Sequence, residues 1–202
     1  MSPQEIERFF RNLDRALGEP AAVILTGAAA GSLMGHVRSS VDIDFAIEPK
    51  RKRPDSWEKI EAALQRATQA TGITAQYARD IDRWGMISLM DYRKNTVPFR
   101  KFGQVEVRIL RLPYWAIGKF SRFLEPDLQD LVVVLKKSKP DPLELMKTLG
   151  KALRASPPSS QRFQFREHVE YFLQKYGRKV WGARFDSGGA VASFHRYARI
   201  FS

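Results

Sequence analysis

The stretch that decides the fold is LTGAAAGSLMGHVRSSVDIDFAI, residues 25–47 of a 202-residue chain. It reads as the end of a strand, a turn at Gly27, a short Ala-rich helix and a second strand carrying Asp42 and Asp44. Side chains alternate between the faces of a strand, so Asp42 and Asp44 share one face while Ile43 and Phe45 take the other. Two carboxylates that close repel each other unless a cation lies between them. A divalent ion such as Mg²⁺, which binds through one or two carboxylates plus substrate phosphates, meets that need. Gly27 lets the backbone approach a phosphate, next to the free N–H groups of a helix start, and Ser32 could add a hydroxyl.

Working outward, Ile6, Phe9, Phe10, Leu13 and Leu17 recur at helical spacing behind Pro3 and predict a helix over 3–17. Residues 22–26 read as a short buried strand and 41–47 as the second one. Asp55 and Ser56 are candidate caps for a helix over 57–71, stopped by Gly72. Residues 73–77 and 85–92 read as strands, and a turn-rich stretch with Pro98 and Gly103 leads into a strand over 104–110. Helices are expected from Pro113 and over 126–137, 140–153 and 163–176. Residues 155–160 read as a break or linker. Residues 186–189 set off a basic segment over 191–201. Mixed α/β elements followed by helices predict an α+β chain. The expected division is a sheet domain with its N-terminal helix over 1–138 and a helical, basic region over 139–202.

The formal charge of +12 is the strongest bulk signal, and it favours polyanionic partners, nucleic acid first among them. Between Lys151 and Ser202 there are ten Lys/Arg against three Asp/Glu, a net +7. A second basic focus is the run Lys50, Arg51, Lys52 and Arg53, which reads as a solvated loop or as a receiver for an acceptor's backbone. No apolar run approaches the roughly 20 residues of a membrane span, so no membrane partner is expected. The N-terminus lacks a signal-peptide layout, and there are no cysteines. Both fit a cytoplasmic location. His36, His168 and His195 show no zinc-ligand spacing. Phe163, Phe165, Tyr171, Phe172, Tyr176 and Trp181 interleave with basic residues. At helical spacing they read first as core and second as a base-stacking platform.

The segment from Gly27 to Asp44 resembles the nucleotidyltransferase superfamily built on the DNA polymerase β palm, especially its small prokaryotic members. Those carry Gly-Gly, a short helix with an interior Gly, then Arg-x-Thr-x-Asp-hydrophobic-Asp. The matching positions are Gly27, Ala28, Gly35, Arg38, Ser40, Asp42 and Asp44. Ala28 stands where the family has a second Gly or Ser, and Ser40 where it has Thr. A rival alignment takes Gly31 and Ser32 as the Gly-Ser pair but loses the fit to Gly35 and Arg38. Further on, Lys119, Arg122, Asp127 and Asp130 resemble the Lys-x-x-Arg…Asp-x-x-Asp signature of AbiEii-like and minimal nucleotidyltransferase toxins. Together the two blocks span about residues 22–135.

The resemblance implies a polymerase-β-like nucleotidyltransferase sheet with flanking helices and a transfer from a nucleoside triphosphate, ATP among the candidates, to an acceptor hydroxyl. Asp42 and Asp44 would hold Mg²⁺, or Mn²⁺ in its place. The third acid, metal ligand or base, is Asp91 or Glu106, with chain order favouring Asp91. Lys119 would steady the triphosphate, with Gly27, Ala28, Ser32, Arg38, Ser40 and Asp127 around the nucleotide. Asp127 and Asp130 share a helix face and could equally pair with Lys119 or Arg122. The implied acceptor is RNA, in particular a tRNA 3′ end, and the implied role is that of a toxin held by an antitoxin protein. Transfer to a protein or small molecule, and a non-catalytic nucleotide- or RNA-binding module, are the alternatives.

Overall fold

The computed structural model describes residues 1–200 other than Val37, Ser39 and Lys52. The described chain is mixed α+β, with eight α-helices and one five-stranded sheet. It divides into two compact units: Met1–Ile81 with Arg93–Leu110, and Asp82–Tyr92 with the chain from Arg111 onward. The division expected at 138/139 therefore falls nearly thirty residues earlier.

In the first unit, α1 (Pro3–Leu17) starts in a capping box: the Glu5 carboxylate accepts from the Ser2 N–H at 2.6 Å, and the Ser2 hydroxyl accepts from the Glu5 N–H at 3.3 Å. The strands are β1 (Ala21–Leu25), β2 (Asp42–Pro49), β3 (Thr74–Ala78), β4 (Thr96–Phe102) and β5 (Val105–Leu110), in sheet order β3-β2-β1-β5-β4. Strand β1 is antiparallel to β2 and parallel to β5, and β3 flanks β2 in parallel. Val23, Leu25, Ile43, Phe45, Ile47, Val105 and Val107 alternate onto one buried face. Helix α1 lays Phe10 on it, with ring centroids 5.7 Å from Phe45 and 6.0 Å from Phe102. Helix α3 (Ser56–Thr71) buries Ile60 and Leu64 and sets Trp57 6.0 Å from Tyr77. Each such side chain removed from water contributes about 1.5–3 kcal/mol. The opposite face carries the polar set.

Strand β4 is not evident from the sequence, because Pro98 and Gly103 read as turn residues. It is an edge strand with a register irregularity between Pro98 and Arg100, so the missing proline N–H breaks no inner ladder. The strand expected over 85–92 is absent. That segment lies in the second unit between 3₁₀ turns at Ile81–Trp84 and Tyr92–Lys94. Its backbone donors go to side chains: Ser88 N–H to the Ser156 hydroxyl and Leu89 N–H to the Asp82 carboxylate. Met90 and Asp91 have φ of 26° and 38°, which no strand allows.

The second unit contains α4 (Leu112–Arg122), α5 (Glu125–Ser138), α6 (Pro142–Ala155), α7 (Ser160–Trp181) and α8 (Ser187–Ala198). Helices α4 and α5 belong here because Phe120 of α4 packs edge-on against Phe172 of α7 at 5.2 Å, and its carbonyl accepts from His168 Nδ1 at 2.8 Å. The break at 155–160 is a corner inside this unit: the Ser159 hydroxyl accepts from the Arg162 N–H at 3.1 Å and starts α7. Helix α8 begins at Ser187, ahead of the expected 191, because Asp186 caps it through the Gly189 N–H at 2.9 Å. Phe201, the expected end of that segment, lies outside the described residues. Among the described residues no helix is long and apolar enough to cross a membrane.

Candidate active site

Asp42 and Asp44 project from the polar face of β2 while Ile43 and Phe45 beneath them are fully buried. Strand spacing separates the two Cα atoms by about 7 Å. The Asp42 carboxylate is held on both sides: Ser40 Oγ donates to Oδ1 at 2.7 Å and Gln76 Nε2 donates to Oδ2 at 2.7 Å. Gln76 comes from β3, where it pairs in register with Asp44.

Gly27 opens α2 (Gly27–Leu33) in the left-handed region, at φ 63°. A Cβ at this position would overlap the Asp44 carboxylate. Just before it, the Thr26 N–H donates to the Asp44 carbonyl at 2.9 Å. Strand β1, the glycine turn and strand β2 are thus locked so that bare backbone abuts a carboxylate. Only glycine meets both conditions.

Ala28 is buried inside α2, so its position offers only backbone to a ligand. Ser32 is buried and its hydroxyl donates to the Ala28 carbonyl at 3.2 Å, within its own helix. The Arg38 carbonyl accepts from the N-terminal ammonium of Met1. Glu106 lies on the same sheet face as Asp44, since Ala22 pairs with both Glu48 and Glu106. Yet it is level with Glu48, four residues or about 13 Å along the strand direction from Asp44, and two strands across. Its carboxylate pairs with Lys50 at 2.7 Å and with Arg108 at 3.5 Å. The hydrogen bond from Lys50 holds it below the ordinary Glu range. The basic run is likewise engaged: Lys50 with Glu106, and Arg53 with Glu19 at 3.6 Å. Lys52 lies outside the described residues.

Asp91 sits in the second unit, on the irregular segment before the second 3₁₀ turn. Among the described residues, no three His, Cys, Asp or Glu side chains converge as a metal site, so Asp42 and Asp44 stand there as a pair.

Lys119 and Asp127, expected around the phosphates, form a closed network in the second unit. Lys119 is 2% exposed and Asp127 and Asp130 are 0% and 1%. Lys119 Nζ donates to Asp127 Oδ1 at 3.1 Å and to Asp130 Oδ2 at 2.6 Å, and Arg122 grips Asp127 with two bonds of 2.7 Å. Burial pushes the Asp127 carboxyl up, but Arg122 and Lys119 outweigh it and hold it below the usual Asp range. Of the two roles open to these residues, the structure gives them the ion-pair one: they lock α4 to α5.

Comparison with known protein families, with curated proteins and with solved structures gave no match.

Gln76 is the site residue that sequence reading passes over. A glutamine in Thr-Ala-Gln-Tyr-Ala has no motif to mark it. Its signal is positional, because a strand parallel to β2 must set one side chain beside each carboxylate.

Proposed function

We propose that this chain is a metal-dependent nucleotidyltransferase that moves a nucleotidyl group from a nucleoside triphosphate to a hydroxyl of RNA. The observation that carries the reading is the contact of Gly27 with Asp44. It brings bare backbone at the end of β1 against one carboxylate of the Asp42/Asp44 pair on β2. A triphosphate laid over that backbone would run beside Asp42 and Asp44.

The donor set suits Mg²⁺: two carboxylates, with a hydroxyl and an amide fixing the plane of one of them. Asp42 and Asp44 would hold the ion, which when bound offsets phosphate charge and draws the reacting groups together. Gly27 keeps side-chain bulk away from the phosphates. Ser40 and Gln76 orient Asp42. In the transfer the acceptor oxygen bonds to the α-phosphorus, pyrophosphate leaves and the hydroxyl proton is lost to a base. The net +12 favours RNA as acceptor, and the resemblance specifies the 3′ end of tRNA and a toxin role.

A second reading, nucleotide binding without turnover, is favoured by the absence of a third carboxylate beside the pair among the described residues. Incubation with each α-labelled nucleoside triphosphate, Mg²⁺ and total RNA separates the two. Label in RNA that disappears in Asp44→Asn supports transfer. Label in protein moves the acceptor, and Mg²⁺-dependent nucleotide binding with no label supports the binding module. Binding unchanged by Asp42→Ala and Asp44→Ala removes the metal reading altogether.

A further inference from the structure

The aromatic residues of α7 range from fully buried to exposed. Phe165 and Phe172 are fully buried, whereas Tyr171 on the outer side is 43% exposed. Tyr171 does not stand alone. Phe123, which ends α4 at φ 51° in a region that favours glycine, stacks flat on His168 with centroids 4.6 Å apart. Tyr171 meets Phe123 edge-on at 6.2 Å. One turn further along, Lys175 places Nζ 2.6 Å from the Tyr171 hydroxyl and 5.0 Å from its ring centroid. Arg178 follows on the same side of the helix, seven residues after Tyr171 and exposed. Because the Phe120 carbonyl can only accept, His168 carries its proton on Nδ1, and in the neutral ring Nε2 remains an acceptor.

We infer that single-stranded nucleic acid docks along this stripe of Phe123, His168, Tyr171, Lys175 and Arg178. Partially exposed rings offer stacking surface to unpaired bases, and cations one turn apart follow the phosphates. The charge of the surrounding chain selects an anionic partner: ten Lys/Arg against three Asp/Glu between Lys151 and Ser202. Glu167 is the one carboxylate of α7 on this outer side. A duplex hides its base faces, so it would use the cations and leave the rings idle. The inference names a surface for the acceptor of the reaction proposed above, but it is tested by binding alone.

Fluorescence anisotropy of the full chain with a labelled oligo-uridylate of about a dozen nucleotides, and with an RNA duplex of similar length, tests it. Tyr171→Ala is expected to weaken single-strand binding roughly tenfold and duplex binding little. Lys175→Ala is expected to flatten the salt dependence. Asp44→Asn is expected to leave binding as it is, so that failure of the transfer reading and failure of this one are told apart. Thermal unfolding of each variant confirms that an outward side chain was changed without loss of the fold. The inference is overturned if the wild type does not bind, if both stripe variants bind like wild type, or if duplex and single strand lose equally. It is also overturned if sedimentation shows a Tyr171-dependent dimer, since a second copy of the chain would then occupy the stripe.

Discussion

A methyl group at position 27 meets two obstacles at once. The backbone there is left-handed, which costs an L-residue about 1–2 kcal/mol, and the Asp44 carboxylate fills the space a Cβ needs. Gly27→Ala is therefore expected to lower stability by about 2–3 kcal/mol, read as a fall in unfolding temperature, and to displace Asp44. Gly118 makes the contrast. It lies in the middle of α4, exposed, with nothing within 4 Å of its would-be Cβ. Gly118→Ala is expected to stabilise by about 0.5–1 kcal/mol, the opposite sign for the same change. Asp42 and Asp44 were legible from alternation alone, because period 2 fixes which side chains share a face. Gln76 was not, because what it touches depends on which strand lies beside β2.

At the scale of elements, the Lys119 network is the joint that fixes α4 to α5. Removing one partner from a buried ion pair leaves the others uncompensated, so Lys119→Ala is expected to destabilise by about 3–5 kcal/mol in urea unfolding. Lys119→Met with Asp130→Leu removes both a cation and an anion, and is expected to recover much of that loss. The sign of the pH effect follows from Asp127. Its carboxyl lies lower in the folded chain than in the unfolded one, where it is about 3.9. Its contribution is therefore fully present above about pH 4 and is lost as pH falls through the folded value. The urea midpoint is expected to hold above about pH 4 and to fall as pH is lowered below it, less steeply in Asp127→Asn. The spacing of Asp127 and Asp130 put two acids on one helix face within reach of Lys119, yet spacing is silent on burial. Facing helices decide whether a lysine meets solvent or two aspartates. For the same reason the strand expected over 85–92 failed: apolar alternation was there, but Ser156 and Asp82 took its backbone donors.

For the molecule as a whole, charge is the property with the longest reach. A chain of net +12 that meets phosphates through several cations releases their counterions. Its affinity for single-stranded RNA is expected to fall roughly tenfold as salt rises from about 50 to about 200 mM, measured by anisotropy. The sequence by itself determined the amphipathic helices, four of the five strands, the glycine turn and the shared face of Asp42 and Asp44. All of these rest on local periodicity and capping, which a chain carries in one dimension. Only the tertiary structure decided that β4 pairs at the sheet edge despite Pro98 and that Glu106 lies far along the sheet from Asp44. It alone decided, too, that α4 and α5 join the C-terminal helices, Lys119 is sealed among aspartates and Tyr171 faces out while Phe172 faces in. Those outcomes turn on which distant segments become neighbours, since burial and pairing are properties of two surfaces and the sequence of one segment describes only its own.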